Sequence, residues 1–358
     1  MLTIMIPLTE INNPDKILLC NGAHLGDLII STAVLPILKK AFPDTKIGFL
    51  VGSWALPVVQ NHTMIDWIHC FDHPHINRRP ISQSEKKKQG HESWIQAIKE
   101  VREKEYDLAI DLYYFYQANS GSLLTETEIP IRCCYWGSPS HFHFTHRLFW
   151  DFLNLHMVEN HRMMMEKIGI TKSALPSLKM TLDYKDTVSL SVKLPEQPYI
   201  VVHPGVGDWR RQWKTSYWKR LLHQLQQLDH PLIFLGRGKK ERVFLAEITR
   251  ELSSPIILCD QLSWRELIPL IEKARCLVGL ESMCGHLAAA LNTPAVLIYG
   301  RPEPILYWRP YSPSCHVITT DSPPFPDKPL SYDEINTIKP EKVFKKVHSI
   351  IDKPFALP

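Results

Sequence analysis

Residues 277–300 read LVGLESMCGHLAAALNTPAVLIYG and indicate the fold class of this chain. The first apolar residues predict a strand that ends at Gly279, and the apolar run Ala295–Tyr299 predicts a second strand. The alanine-rich tract between them predicts a helix that opens near Gly285 and His286. Strand, helix and strand in this order predict a βαβ unit of a parallel sheet.

The N-terminus of this predicted helix is a candidate anion site at the carboxyl end of a strand. Its first turn carries unpaired backbone N–H groups and a partial positive charge, both of which favour phosphate. Glu281 and Ser282 precede the turn, where they could bind a ribose hydroxyl and a phosphate oxygen. An ordinary buried βαβ unit explains the same residues, so this stretch alone leaves both interpretations open.

A related pattern stands near the start of the chain, where residues 16–27 read KILLCNGAHLGD. It predicts a strand at 17–21, a glycine-containing turn and one long helix over 27–42. Gly22 would let a substrate approach the backbone closely. Asp27 directly follows the turn, and from the local sequence alone helix capping is its favoured role.

Composition places the chain among ordinary globular proteins. It has 358 residues, 44% of them hydrophobic and 22% charged, and this length predicts two domains. A net charge of +4 is too small to indicate nucleic-acid binding. Eight cysteines without a C-x-x-C motif give no sign of a disulfide framework. We expect a cytoplasmic protein, since neither a membrane-spanning run nor a secretory signal is evident.

Alternating strand and helix patterns predict two doubly wound α/β domains. Strands are expected at 17–21, 47–51, 67–70, 108–111 and 131–135, and again at 199–203, 232–235, 256–259, 276–279 and 295–299. Further helices are expected at 94–104, 215–228, 239–252, 264–273 and 339–352. The polar, basic segment 72–91 reads as a mobile surface loop. We place the domains at 1–180 and 181–358.

The order and spacing of three motifs resemble those of family 9 glycosyltransferases, the ADP-heptose:lipopolysaccharide heptosyltransferases. The motifs are HLGD at 24–27, HPG at 203–205 and ESMCGHLAAA at 281–290, and the resemblance runs from residue 16 to residue 350. It implies the GT-B fold, in which two Rossmann-type domains face a central cleft. The last helix, 339–352, would return toward the N-terminal domain.

The resemblance implies an inverting, metal-independent glycosyltransferase, with ADP-heptose as the first guess for its donor. Asp27 would take the proton from the acceptor hydroxyl. The donor-binding residues would be His203, Gly205, Arg211, Lys214, Gly236, Glu281, Ser282, Gly285 and His286. This chain departs from the family pattern at three of its positions: Arg211 replaces a lysine, Glu281 an aspartate, and Met283 a glycine.

Acceptor recognition is expected in the N-terminal domain. The candidate residues are Gly22, His24, Arg78, Arg79 and Lys86. The basic ones suit an anionic glycan or glycolipid of the lipopolysaccharide core, although a merely solvated charge run is an equal alternative. We expect no nucleic-acid partner and a peripheral contact with the inner membrane surface.

No D-x-D carboxylate pair stands at a predicted strand end, so the sequence predicts no metal and no cofactor beyond the donor. Two other functions stay open at this point. One is a nucleotide-sugar epimerase or hydrolase built on two Rossmann-type domains. The other is a non-catalytic nucleotide-binding homologue, which the altered ESMCGH tract would fit.

Overall fold

The computed structural model describes residues 13–113, 120–136, 141–151, 154–170, 179–186, 188–301, 303–322 and 332–354. The chain divides into two compact units, Met1–Thr187 and Val188–Pro358. The described strands form two six-stranded sheets whose neighbouring strands are all parallel. Within the described residues, no helix has both the length and the apolar character that a membrane span requires.

The first unit is built on a sheet of strand order β3-β2-β1-β4-β5-β6. Its strands are β1 (Lys16–Asn21), β2 (Lys46–Val51), β3 (Trp67–Cys70), β4 (Leu108–Asp111), β5 (Ile131–Tyr135) and β6 (His146–Leu148). Its helices are α1 (Leu25–Ser31), α2 (Val34–Ala41), α3 (Leu56–Val59), α4 (Gln83–Lys104), α5 (Gly121–Glu126) and α6 (Met157–Lys167). The central strands read as nearly continuous buried apolar runs because helices cover a parallel sheet on both faces.

The second unit repeats this architecture with strand order β12-β11-β10-β7-β8-β9. Its strands are β7 (Ile200–His203), β8 (Leu232–Gly236), β9 (Ile256–Cys259), β10 (Cys276–Leu280), β11 (Ala295–Tyr299) and β12 (Cys315–Thr319). Its helices are α7 (Thr215–Gln226), α8 (Gly238–Thr249), α9 (Trp264–Glu272), α10 (Met283–Ala290), α11 (Glu303–Trp308) and α12 (Pro340–Ile351). The predicted strands are therefore confirmed, and the sequence missed only the edge strands β6 and β12 among those described.

The single helix predicted over 27–42 is wrong, because the chain forms α1 and α2 with a break between them. Pro36 explains the break. A continuous helix would need an N–H at this position to bond the carbonyl of Thr32, and proline has none. The carbonyl of Thr32 instead accepts from the N–H of Leu35 at 3.1 Å, so the proline falls in the first turn of a new helix, where its missing donor costs little.

The mobile loop predicted for 72–91 is wrong from Gln83 onward, because α4 already begins there. Ser82 is the N-cap, and its side chain accepts from the N–H of Glu85 at 3.1 Å. Serine followed three residues later by glutamate is a helix-start signal that the polar composition of the segment obscured. Lys86 consequently lies on a helix and is half-buried.

The last helix, α12, packs on the second sheet. Val343, Val347 and Ile350 belong to the buried core of that unit, and the guanidinium of Arg275 donates to the carbonyl of Ile350 at 3.0 Å. This burial accounts for the apolar face that the sequence shows after Pro340. A return of this helix toward the first unit stays a prediction.

Gly279 in β10 allows a close approach of the neighbouring strand β7. A Cβ atom placed on it would lie 2.6 Å from the backbone oxygen of His203. We expect Gly279→Ala to lower the free energy of unfolding by about 1–3 kcal/mol, because a backbone atom in a paired strand cannot move aside easily. Urea unfolding followed by circular dichroism checks this, and an unchanged midpoint would contradict the tight approach.

Candidate functional site

The carboxyl ends of β7, β8 and β10 bring several predicted donor residues to one edge of the second sheet. β7 lies between β10 and β8, so the segments after His203, Gly236 and Leu280 leave the sheet side by side. Edges of this kind are where parallel α/β sheets bind ligands. The edge therefore holds His203, Gly205, Gly236, Glu281 and Ser282 as neighbours.

His203 and Ser282 contact each other at this edge. The Oγ of Ser282 lies 3.1 Å from Nδ1 of His203, and Nε2 of the same imidazole lies 3.9 Å from a carboxylate oxygen of Glu241. Burial lowers the pKa of His203 to about 4, so the ring is neutral near pH 7. A neutral ring can accept from the serine hydroxyl or donate to it, according to its tautomer.

Arg211 and Glu281 form an ion pair. Nη1 of Arg211 lies 3.4 Å from each carboxylate oxygen of Glu281, and both side chains are about one-third exposed or less. Arg210 pairs instead with Asp208 through three contacts of 2.7–3.1 Å. Arg211 is thus the arginine of this turn that lies beside the acid predicted to hold ribose.

Glu241 fills the space between two glycine-containing turns. A Cβ on Gly205 would lie 2.5 Å from its carboxylate, and the same carboxylate accepts from the N–H of Arg237, which follows β8, at 2.9 Å. Burial raises the pKa of Glu241. A side chain on Gly205 would displace this carboxylate, so the glycine serves close packing around Glu241.

The helix predicted to open near Gly285 begins two residues earlier, at Met283, with Ser282 as N-cap. The N–H of Gly285 donates to the carbonyl of Ser282 at 3.2 Å, and a Cβ on Gly285 would lie 2.7 Å from Leu297. This glycine therefore packs against the sheet. A contact between Gly285 and phosphate stays a prediction.

His286 lies in the first turn of α10 and is 6% exposed. Its Nδ1 is buried and has no hydrogen-bond partner among the described residues. Burial lowers its pKa to about 4. A buried polar atom without a partner is unfavourable, and a ligand atom reaching this nitrogen would remove that cost.

Lys214 is exposed, and its described contacts are with Tyr217 of α7 and with Asn336. Its ammonium lies 5.7 Å from the ring centre of Tyr217, and its backbone N–H donates to Asn336 at 3.0 Å. The adjacent Trp213 is fully buried and donates to the carbonyl of Ile338 at 3.1 Å. A phosphate contact of Lys214 stays a prediction.

Asp27 caps α1 in the first unit. Its Oδ2 accepts from the N–H of His24 at 3.2 Å, so a capping contact is confirmed, but His24 is the N-cap and Asp27 is the third residue of the helix. Asn21 fixes the same turn, because its amide donates to the carbonyl of Asp27 at 3.3 Å and its oxygen accepts from the N–H of Ala23 at 3.0 Å. A carboxylate can accept several hydrogen bonds, so capping is compatible with a second role for this side chain.

The turn around Asp27, which includes Gly22, collects charged and aromatic groups. Burial and the nearby Arg78 lower the pKa of His24 to about 4, and burial together with Asp27 raises the pKa of Tyr113. The predicted residues His24 and Arg78 thus lie near Asp27. Tyr113 follows β4, the neighbour of β1, and from the sequence its ring could contact a sugar face or pack in the core.

The other two basic candidates are Arg79 and Lys86. Arg79 donates to the hydroxyl of Ser53 at 2.6 Å and lies 3.6 Å from the carboxylate of Asp72. Lys86 lies half-buried on α4. Acceptor binding by either residue stays a prediction.

The sequence profile described as "Glycosyltransferase family 9 (heptosyltransferase)" matches residues 94–331. This match spans more than half of the chain. The chain belongs to glycosyltransferase family 9. It is therefore a glycosyltransferase, and the interpretations as an epimerase, a hydrolase or a non-catalytic homologue fall away.

Characterised relatives extend the family 9 match to most of the chain. "Lipopolysaccharide heptosyltransferase 3" of Escherichia coli is 24% identical over 297 residues, which cover 80% of this chain and 84% of the relative. "Lipopolysaccharide heptosyltransferase 2" of Salmonella typhimurium is 23% identical over 360 residues, covering 94% and 99%.

Solved structures confirm the predicted GT-B class of two Rossmann-type domains. A family 9 glycosyl transferase from Veillonella parvula superposes with a TM-score of 0.75 at 16% identity, covering 94% of this chain and 97% of the other. ADP-heptose lps heptosyltransferase II of E. coli gives a TM-score of 0.70 at 21% identity, covering 94% and 98%.

Two histidines of the second unit, buried His286 and largely buried His203, predict acid sensitivity. An unfolded histidine titrates near pH 6.5, whereas His203 and His286 titrate at about 4 in the fold. The unfolded state therefore binds more protons between these values, so stability is present above pH 6.5 and is lost as the pH falls toward 4. We expect each histidine to remove about 2 kcal/mol of unfolding free energy on going from pH 7.5 to pH 5.

Urea unfolding at both pH values measures this loss. His286→Gln should reduce the difference between the two free energies, whereas His223→Gln, a change at a half-exposed histidine of α7, should leave it unchanged. Equal pH dependence in wild type and His286→Gln would contradict the assignment.

Proposed function

We propose that this family 9 enzyme transfers heptose from ADP-heptose, with inversion, to an anionic acceptor of the lipopolysaccharide core. Family membership supports glycosyl transfer. The names of the relatives support the sugar and the acceptor, because they act as lipopolysaccharide heptosyltransferases. The proposed acceptor is a glycan or glycolipid that carries this anionic core, which suits the basic residues of the first unit.

The arrangement at the edge of the second sheet carries the donor part of this proposal. Arg211 supplies a guanidinium that can bind diphosphate oxygens bidentately. Ser282 and the N-terminus of α10 add hydrogen-bond donors at the same edge. Glu281, held by Arg211 at 3.4 Å, accepts from the ribose hydroxyls. Neutral His203 and His286 add donors and acceptors without adding charge.

Asp27 is the proposed base for the acceptor. The contact with the N–H of His24 fixes the carboxylate, and this carboxylate takes the proton from the attacking hydroxyl. The acceptor oxygen forms the new glycosidic bond to the anomeric carbon while the bond from that carbon to the diphosphate oxygen breaks. The departing diphosphate gains negative charge, which Arg211 and the first turn of α10 stabilise. These groups need no metal ion, so we propose that transfer proceeds without one.

A donor panel tests the proposal. Purified enzyme is incubated with ADP-heptose, ADP-glucose, UDP-glucose or GDP-mannose and with a lipopolysaccharide core that lacks its outer heptose, and products are identified by mass spectrometry. We expect transfer from ADP-heptose, unchanged by excess EDTA. Transfer from another donor alone would overturn the sugar assignment, and loss of transfer in EDTA would overturn the metal-independent mechanism.

Replacing Glu281 tests the ribose assignment. We expect Glu281→Gln to weaken ADP binding about tenfold, because a carboxylate forms stronger hydrogen bonds to hydroxyls than an amide does. Calorimetric titration with ADP measures the affinity. Glu251→Gln is the matched control, since this glutamate is exposed and pairs with Lys219. Equal affinity of both variants for ADP would contradict the assignment.

A further inference from the structure

Asp111 is a buried carboxyl group at the end of β4 to which the proposed mechanism gives no role. It is 1% exposed, and burial raises its pKa to about 7. Burying a carboxylate costs free energy that its hydrogen bonds must offset. Carboxyl groups with strongly shifted pKa values are concentrated at functional sites, which makes Asp111 a candidate for a role in the reaction.

Both oxygens of Asp111 accept hydrogen bonds from residues that follow β4. Oδ1 accepts from the backbone N–H of Tyr113 at 2.9 Å. Oδ2 accepts from Ser120, through its backbone N–H at 3.3 Å and through its hydroxyl at 3.0 Å. Ser120 is the N-cap of α5. One side of the carboxylate therefore fixes the start of that helix, and the other side fixes the backbone of Tyr113.

The strand that ends at Asp111 is paired with the strand that leads to Asp27. Cys20 of β1 and Asp111 are register partners, and the N–H of Leu112 donates to the carbonyl of Cys20 at 2.9 Å. The carboxyl ends of neighbouring parallel strands lie at the same edge of a sheet. The segment that begins at Leu112 thus leaves the sheet beside the turn that precedes Asp27.

Tyr113 connects Asp111 with this turn. Its side chain packs against the buried residues Ala23 and Ile76, and Ala23 lies between β1 and α1 in the turn itself. Burial raises the pKa of the Tyr113 phenol, and the charge of Asp27 raises it further, so the two side chains lie close enough for their charges to interact. A chain of contacts therefore runs from Asp111 through Tyr113 to the turn of Asp27.

We propose that Asp111 is a positioning residue for Asp27. Its carboxylate fixes the backbone of Tyr113, and the ring of Tyr113 supports Ala23 and thereby the turn that holds the carboxylate of Asp27. Proton transfer depends on this placement, because a displacement of about 1 Å can lower a rate about a hundredfold. The inference rests on the proposed role of Asp27 as the base, and it names the groups that hold this base in place.

Turnover of single variants tests the first step of this inference. We expect Asp111→Ala and Tyr113→Ala each to lower kcat for heptosyl transfer about tenfold or more. The affinity for ADP should stay at its wild-type value, because the proposed donor residues lie in the second unit. Asp107→Ala is the matched control. Asp107 stands just before β4 and also accepts from a backbone N–H, that of Lys16 at 2.8 Å, and its loss should leave kcat unchanged.

Combination with Asp27→Asn distinguishes positioning from a general loss of stability. If Asp111 acts through Asp27, adding Asp111→Ala to Asp27→Asn should lower kcat by no more than about twofold, because the base is already absent. A merely structural contribution lowers the fraction of folded enzyme and would reduce kcat by the same factor in both backgrounds. Tyr113→Ala gives the same comparison at a partly exposed residue, so it carries the test if Asp111→Ala does not fold.

The possible outcomes separate this inference from the proposed function. Wild-type kcat in Tyr113→Ala would overturn the positioning role, and so would losses that multiply in the double variants. A large loss in Asp27→Asn with wild-type kcat in Asp111→Ala and Tyr113→Ala would remove the positioning role and leave the proposed base intact. Wild-type kcat in Asp27→Asn would remove the base and its positioning residue together.

Discussion

Asp27→Asn should lower kcat for heptosyl transfer by roughly a thousandfold, as expected for loss of a general base. Asparagine has nearly the same shape and keeps an oxygen that can accept from the N–H of His24, so the cap of α1 survives. It cannot accept a proton at neutral pH. The substitution therefore separates the two roles that this residue combines.

The controls for this prediction follow from the capping contact. Asp27→Ala removes both roles and should also cost about 1 kcal/mol of stability, whereas Asp27→Asn should leave the unfolding free energy nearly unchanged. ADP affinity should be the same in wild type and in both variants, because the nucleotide residues lie in the second unit. Asp44→Asn, at an exposed aspartate after α2, should leave kcat unchanged.

An Asp27→Asn enzyme with wild-type kcat would overturn the base assignment and leave Asp27 as a helix cap. A variant that loses activity together with stability would point to the same conclusion, because the loss would then follow from misfolding of the turn. Only lost turnover with intact folding and intact ADP binding supports proton transfer.

The sequence predicted the sheets because buried parallel strands leave a simple signal. A continuous apolar run such as that of β1 or β11, closed by a polar residue or glycine, has few other interpretations between predicted helices. The edge strands β6 and β12 leave a weaker one. Both are only partly buried, so their sequences mix polar and apolar residues as loops do.

Helix boundaries failed where a local effect opposed the general pattern. The apolar periodicity over 27–42 runs through Pro36, whose missing N–H divides it into α1 and α2. The basic, polar composition of 72–91 outweighed the Ser82 and Glu85 signal that starts α4. In both cases one residue decided the boundary, and composition averaged over a window did not show it.

Site residues were predictable where they follow a strand, and their partners were not. Glu281 and Ser282 follow β10 and could be named from the sequence. The ion pair between Arg211 and Glu281 spans seventy positions, and no local pattern encodes such a contact. Burial also depends on residues distant in the sequence. It raises the pKa of Asp111 to about 7, and no local pattern could have predicted this shift.

Arg211→Ala should lower kcat/KM for ADP-heptose by roughly a hundredfold, because truncating one member of a partly buried charge pair costs several kcal/mol. The loss has two sources. The diphosphate loses a bidentate donor, and Glu281 is left as an uncompensated negative charge beside it. Arg211→Lys should fall between wild type and alanine, because lysine keeps the charge without the planar fork.

The double variant Arg211→Ala with Glu281→Gln separates these sources. If Arg211 binds diphosphate directly, removing the carboxylate of Glu281 relieves repulsion but does not replace the lost donor. The double variant should then bind ADP more weakly than Glu281→Gln alone. If Arg211 serves only to neutralise Glu281, the double variant should bind ADP as tightly as Glu281→Gln alone. Calorimetry with ADP on all four proteins gives the coupling energy directly. Recovery to the Glu281→Gln affinity would therefore remove Arg211 from the diphosphate site, and persistent weak binding would keep it there.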